Sequence, residues 1–347
     1  MNIANREISQ KFSPFVIAEL SGNHGGNLEI AKELVKCAAQ SGVDAIKLQT
    51  YTPETITLKH TSDDFKILDS GSIWYGKTLY ELYSEAMTPW EWHEEIFKYA
   101  KSLGLIAFSS PFDVSSVEFL EKLEVPCYKI ASFENTDWEL LEAVASTQKP
   151  IVMSAGMASL SELSSSIDFL RSKGTSEIVI LKCTSSYPAQ AKDANLKTIP
   201  EMRKIFDTEI GLSDHTLGIG VSIAAVALGA TVIEKHLTLS RKNGFVDSKF
   251  SLEPNEFINL TSEVKNAWSS LGKVHFGSLK SENQSKNHRR SLYFVKDLKI
   301  NETITRDSVK SIRPGFGLLT KYLDIIVGKK INREIKYGEP VTWDCFG

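Results

Sequence analysis

Gly211-Leu-Ser-Asp-His215 and Val232-Ile-Glu-Lys-His236 flank an apolar stretch, Ile219 to Ala230, and together they decide the fold. Each flank reads as the end of a β-strand that carries a histidine. The stretch between them has a helix's length and composition. Side chains alternate faces along a strand, so Ser213 shares a face with His215, and Glu234 with His236. A strand–helix–strand unit lays neighbouring strands side by side and parallel. Two imidazoles then meet at one end of a sheet with a carboxylate between them, an open site for a divalent metal.

Working outward, short β-branched or apolar runs alternate with helical patterns. The strand candidates are Phe15–Leu20, Ala45–Thr50, Ile106–Ser110, Cys127–Ala131, Ile151–Ala155, Ile178–Cys183, Glu209–Ser213 and Thr231–His236. Helical segments follow them, among them Leu28–Gln40, Val114–Leu123 and Leu160–Ser172. This number of strand–helix units, in this length, predicts an α/β fold of the TIM (β/α)8 barrel type over residues 1–273. A doubly wound open sheet is the alternative, but no Gly-x-Gly-x-x-Gly follows the first strand. One connection is abnormally long. Tyr51 to Trp90 leaves the carboxyl end of the second strand and contains Tyr51, Phe65, Trp74, Tyr75 and Tyr80. It reads as a local packing cluster or as a lid and sugar-binding wall. Residues 274–288 are polar and read as a linker. Residues 289–347 read as a small all-β domain with strands at Arg290–Val295, Asp297–Glu302, Val309–Arg313 and Gly338–Val341. So small a β domain without disulfides leans on a barrel, its own or a partner's.

The 347 residues suit about two domains. With 42% hydrophobic and 24% charged residues they supply an ample core. A net charge of −3 offers no nucleic-acid surface, so an anionic substrate needs local cations. Met1 to Pro14 is polar and lacks the apolar region of a signal peptide. The longest apolar run, Ile219–Ile233, is shorter than a membrane span. The cysteines (37, 127, 183, 345) form no Cys-x-x-Cys pair and read as reduced thiols of a cytoplasmic protein.

The strand ends carry polar residues that an ordinary core does not need. They give Glu19, then Asn23 and His24; Lys47 and Gln49 on one face; Ser109 and Ser110; Lys129 and Ser132; Ser154; Thr184 and Ser185 before Tyr187; and the two histidines. Singly, a strand lysine most often snorkels, a strand histidine is most often a satisfied polar residue, and such serines usually cap turns. Jointly they say more. Two inward lysines cannot both be buried without anions, because burial penalises the charged form. Hydroxyls nearby complete a cradle for phosphate and carboxylate. The expected ligand is a small dianion or trianion beside a metal.

Phe15-Val-Ile-Ala-Glu-Leu-Ser-Gly-Asn-His24, Lys47-Leu-Gln-Thr50, Ser109-Ser-Pro-Phe112, Tyr128-Lys-Ile-Ala-Ser132, Gly211-Leu-Ser-Asp-His-Thr216 and Glu234-Lys-His236 resemble the sialic acid synthase family. Arg289-Arg-Ser-Leu-Tyr293 and Ile312-Arg-Pro-Gly-Phe-Gly317 resemble that family's antifreeze-like (SAF, β-clip) domain. The resemblance implies condensation of phosphoenolpyruvate with an acetamido sugar to a nine-carbon 2-keto acid. Within the family, Thr50–Thr57, Ile73–Tyr80, Thr88–Trp92 and Cys183–Pro188 look most like the pseudaminic acid branch, whose acceptor is 2,4-diacetamido-2,4,6-trideoxy-L-altrose. Neuraminate synthases usually have Asn where this chain has Ser185, near the acceptor. Many relatives carry Gly-Pro-Asp where this chain has Phe245-Val-Asp247, so the loop before that aspartate is shaped differently. The resemblance implies that His215 and His236 bind Mn2+, or Mg2+ or Co2+. It assigns phosphoenolpyruvate to Lys47, Ser110, Lys129, Ser132, Ser154 and Ser213, and the sugar to Gln49, Ser185, Tyr187, Asp247 and Arg313. Glu19, Glu234 and His236 are the catalytic candidates, and Arg313 is expected to act from the other subunit of a domain-swapped homodimer. No nucleic-acid or membrane partner is expected. The first alternative is a sibling synthase of the family, for legionaminic or N-acetylneuraminic acid; two other classes remain open, a Schiff-base aldolase using Lys47 or Lys129, and a non-enzymatic carbohydrate- or ice-binding protein suggested by the tail.

Overall fold

The computed structural model describes residues 1–346 and separates into two compact units, Met1–Gly272 and Lys273–Gly347. The first opens with a two-stranded hairpin, β1 (Asn2–Ile3) and β2 (Arg6–Glu7), that no sequence pattern announced. Its Ile3 and the following Ile8 are buried in the barrel's core cluster. Eight parallel strands then close a barrel in chain order, with β10 returning to β3. They are β3 (Phe15–Glu19), β4 (Ala45–Thr50), β5 (Ile106–Pro111), β6 (Tyr128–Ile130), β7 (Ile151–Ser154), β8 (Ile178–Cys183), β9 (Glu209–Asp214) and β10 (Val232–His236). All eight expected strands are present, with ends shifted by a residue or so. The barrel, rather than the open sheet, is the fold.

The helices form where an apolar stripe coincides with an end signal. In Leu28–Gln40, Ala31, Leu34, Val35 and Ala38 are buried at helical spacing, and the Asn27 side chain accepts the Glu29 and Ile30 amides. Helix Gly220–Ala227 is the expected stretch between the two histidine-bearing strands, shortened at both ends.

Register places the polar residues on the inner face. Glu19 lies beside both His236 and Lys47, Gln49 beside Ser110, and Ser213 beside both Cys183 and Glu234. Lys129 on β6 and Glu234 on β10 are not sheet neighbours, so their 3.2 Å contact crosses the barrel interior. Gly211 has an inward position with no room for a side chain. A Cβ there would lie 2.5 Å from the Val232 carbonyl oxygen and 2.6 Å from Leu181 Cδ2.

The outer face of these strands is covered as well. Asp214 and Lys235 point outward in register and form a fully buried ion pair at 2.8 Å. Asp214 also accepts Thr216 Oγ1 at 2.7 Å and Ser222 Oγ at 2.6 Å, while Lys235 Nζ donates to the Thr216 carbonyl at 2.6 Å. These bonds pin the loop just after His215 to the helix that follows it.

The second unit has its own core, including Leu292, Phe294, Ile304, Ile326, Ile331 and Val341. Of the four strands expected in it, two form a ladder: β11 (Ser291–Phe294) and β12 (Val309–Ile312), antiparallel. The segments at 297–302 and 338–341 form isolated bridges, such as Leu298 with Ile335 and Tyr293 with Pro340, and separate backbone hydrogen bonds, such as Val341 to the Leu292 carbonyl at 2.9 Å. Turn residues interrupt them, Gly338 taking a positive φ and Pro340 lacking an amide donor. The segment expected to be a linker contains a short helical turn, Asn283–Lys286.

Candidate active site

A cavity of about 620 Å3 opens at the carboxyl end of the barrel. Its floor holds Lys47, Lys129, Ser154, Ser213 and Glu234, and His215, His236, Tyr187, Asp247, Gln49 and Ser132 also line it. Eleven of the fifteen catalytic, substrate-binding and metal candidates therefore share one cavity. Four do not lie on its wall. Glu19 and Ser110 are fully buried behind it, because parity along a strand sets the face but not the depth. Ser185 packs beside Gly156, where its Oγ would lie 2.3 Å from a Cβ. Arg313 is an exposed residue of the second unit.

The cations and anions of the floor are interlocked. Lys47 Nζ lies 2.9 Å from Glu19 and 3.2 Å from Glu234, and Lys129 Nζ lies 3.2 Å from Glu234. Ser213 Oγ donates to the same Glu234 oxygen at 3.3 Å, and Gln49 donates to Glu19 at 3.0 Å. Burial pushes Glu234 up, but Lys129 and Lys47 outweigh it and hold the carboxyl at about 2. Burial raises Glu19, with Lys47 opposing. Burial also presses both lysines down. Two carboxylates overcome this for Lys47, which ends above the usual lysine range; Lys129, with Glu234 as its main support, ends below it. The site thus carries two ammoniums already balanced by two carboxylates, and an arriving anion competes with those carboxylates.

The imidazoles are arranged differently. His215 Nδ1 lies 3.0 Å from the Thr184 carbonyl, which makes Nδ1 the donor; burial presses this imidazole down, but Cys183 and the Thr184 carbonyl outweigh it and raise it. His236 is held neutral by burial and then by His215, well below the usual range. Its Nδ1 is buried without a hydrogen-bond partner, as is Ser154 Oγ. The ring centroids are 5.4 Å apart. Buried polar atoms are rarely left unpaired, and two imidazoles facing one cavity fit a divalent transition metal with open coordination positions. No cluster of three or more His, Cys, Asp or Glu suited to a metal occurs among the described residues.

The long connection after β4 is folded over the cavity. Trp74 Nε1 donates to the Val246 carbonyl at 2.9 Å, and its ring packs 5.7 Å from Tyr187. Of its five aromatic residues named above, Tyr51 and Trp74 line the cavity. Phe65 instead packs on His60, Tyr75 is exposed, and Tyr80 bonds Glu54.

Among the cavity residues that escaped the sequence reading, three lie close to the candidate groups. Cys183 faces inward on β8, 3.9 Å from His215 Nδ1; parity with Leu181 would have found it. Ser21 follows the first strand and bonds Asp247. Glu134 lies just past Ser132, and burial pushes it from 4.5 to about 7. Between those two values the folded protein holds a proton that the unfolded chain has released. Stability therefore falls as pH rises through this window, and the loss is complete above it. Glu134→Gln removes that loss. Allowing for partial solvent screening, the variant should be about 2 kcal/mol more stable than the parent at pH 8 and equal to it near pH 4.5. Urea unfolding at the two pH values checks this; equal stability at pH 8 would contradict it.

Residues 34–276 match the NeuB family and residues 289–347 the SAF domain. The chain is 43% identical to the pseudaminic acid synthase of Campylobacter jejuni over 346 residues, covering 100% of each chain. It is 41% identical to the pseudaminic acid synthase of Helicobacter pylori, over 95% of this chain and 97% of that one. Among solved structures it is similar to the N-acetylneuraminic acid synthetase of Leptospira borgpetersenii, crystallised with citrate. That likeness has a TM-score of 0.73 at 30% identity, over 82% of this chain and 94% of that one.

Proposed function

The chain belongs to the NeuB family, and from that premise we propose that it is a pseudaminic acid synthase. It condenses phosphoenolpyruvate with 2,4-diacetamido-2,4,6-trideoxy-L-altrose, giving pseudaminic acid and phosphate. The observation that carries this reading is the meeting of Lys47 and Lys129 with His215 and His236 in one cavity, two cations beside a pair of imidazoles that would hold a metal. The likeness to pseudaminic acid synthases along the whole chain supports the choice of acceptor. Lys47, locked to two carboxylates and held above the usual lysine range, is a poor Schiff-base nucleophile, which disfavours it as the lysine of an aldolase.

C3 of phosphoenolpyruvate forms the new bond to the aldehyde carbon of the open-chain sugar. Water adds to C2, where positive charge has developed. The C2–O bond then breaks, phosphate leaves with the bridging oxygen, and the 2-keto acid remains. Lys47, Lys129, Ser110, Ser132, Ser154 and Ser213 bind and orient phosphoenolpyruvate, Ser110 by bonding Lys47 at 3.3 Å from behind. Glu19 balances the charge developing at C2 from behind Lys47 and Gln49. Glu234 keeps the lysines charged and assists proton transfer on the face of His236. Gln49, Tyr187 and Asp247 orient the sugar, with Ser185 shaping the wall beside them. A divalent ion held by His215 and His236, Mn2+ first and Mg2+ or Co2+ as alternatives, would supply Lewis acidity to the aldehyde oxygen.

Arg313 reaches an acetamido group from the other subunit of a domain-swapped homodimer; this part rests on the family likeness. The four free cysteines support a reducing compartment, the cytoplasm, and no helix among the described residues is long and apolar enough to cross a membrane.

Phosphoenolpyruvate labelled with 18O at the bridging oxygen tests the chemistry. The label is expected in the released phosphate, with one phosphate formed per nine-carbon product. Label retained in the keto acid would overturn C–O cleavage.

A further inference from the structure

We propose that Ser21 is a positioning residue that holds Asp247 toward the acceptor sugar and away from His236; this rests on Asp247 orienting the acceptor, as proposed above. Ser21 is 2% exposed, lines the cavity, and donates its hydroxyl to Asp247 Oδ2. The bond joins the loop after the first barrel strand to the loop after the last.

Ser21 adopts a left-handed backbone conformation, φ +46°, which a residue with a Cβ disfavours. Its surroundings enforce that conformation. The Asn23 amide bonds the Leu20 carbonyl at 3.1 Å, closing a turn over Ser21. Asn23 Nδ2 is tied to the Leu237 carbonyl at 2.9 Å and to Ser251 at 2.8 Å. Gly22 abuts Ala86, whose Cα would lie 3.0 Å from a Cβ added there. Glycine would relieve the strain at position 21, so the serine is present for its hydroxyl. Strain of this kind persists at sites where the surroundings over-determine it.

Asp247 has an alternative. Its Oδ2 is 3.9 Å from His236 Nδ1, too far for a hydrogen bond, and that nitrogen is buried without a partner. A small rotation would join them. The Ser21 hydroxyl and the neighbouring Gly22 backbone both hold the carboxylate; the hydroxyl is the side-chain contact that opposes the rotation, leaving His236 unencumbered and the carboxylate directed into the cavity.

Ser21→Gly and Ser21→Ala separate hydroxyl from backbone. Both are expected to lower kcat/KM for the acceptor by about 10²-fold, the scale of a small misplacement of an orienting group, while KM for phosphoenolpyruvate stays unchanged. Ser21→Gly should melt no lower than the parent. Combined with Asp247→Asn, neither variant should add its full effect, because both act through one carboxylate. A crystal structure of Ser21→Gly should show Asp247 within hydrogen-bond distance of His236. Full acceptor activity in Ser21→Gly, additive effects with Asp247→Asn, or Asp247 unmoved in the crystal would each overturn the proposal. If the parent turns over a different acetamido sugar, the kinetic comparison is made with that sugar. If it turns over none, the proposed function fails and the crystal structure still decides the role of Ser21.

Discussion

A His236→Ala variant is expected to lose about 10³-fold or more in kcat and to lose its response to added Mn2+. The reason is the scarcity of metal donors. His215 and His236 are the two imidazoles on the cavity wall, and no third ligand joins them in a ready-made cluster among the described residues. Removing one leaves a single imidazole, which holds a divalent ion weakly at cellular concentrations. The fold should tolerate the change, because His236 is neutral and its Nδ1 bonds nothing that would be orphaned. Melting close to the parent, together with absent turnover and weakened Mn2+ binding by calorimetry, is the expected combination. Undiminished turnover in chelator-treated His236→Ala would remove the metal from the account.

The second large effect is on stability. Glu234→Ala deletes the carboxylate that touches both Lys47 and Lys129. Glu19 still supports Lys47, but Lys129 is left as a buried cation with no partner of its own. Breaking a buried ion pair in this way costs about 3–5 kcal/mol. For a unit of this size that lowers the melting temperature by about 10 °C. The dianionic ligand should recover much of it by replacing the missing charge, so phosphoenolpyruvate is expected to raise the melting temperature of the variant more than that of the parent. Glu234→Gln, which keeps the shape and loses the charge, should fall between them. An unchanged melting temperature, or an equal ligand-induced rise in parent and variant, would mean that the floor is not organised by charge.

The barrel was legible because its strands are short β-branched runs ending in polar residues, each followed by a helical pattern. Period-two parity was enough to place Lys47, Gln49, Ser213, Glu234 and His236 on one inner surface. Depth along the barrel axis was not legible. Glu19 and Ser110 obey the same parity, yet lie behind the wall, because strand stagger depends on partners distant in sequence. Asp214 and Lys235, each one residue before a site histidine, went unremarked. An outward charge ordinarily reads as solvated, but here a helix covers the strands and the pair is buried. Ser21 could not be found from residue type, since a left-handed conformation is signalled by glycine or asparagine and seldom by serine. The tail was over-read: its apolar alternation resembles strands, but turns interrupt two of them before a ladder forms.

The central claim is the acceptor, and phosphate release from phosphoenolpyruvate with Mn2+ tests it most directly. Three sugars are compared at equal concentration: 2,4-diacetamido-2,4,6-trideoxy-L-altrose, N-acetylmannosamine and the diacetamido mannose analogue. Turnover confined to the altrose sugar is the predicted result; preferential turnover of either of the others would contradict the assignment while leaving the family and the chemistry in place.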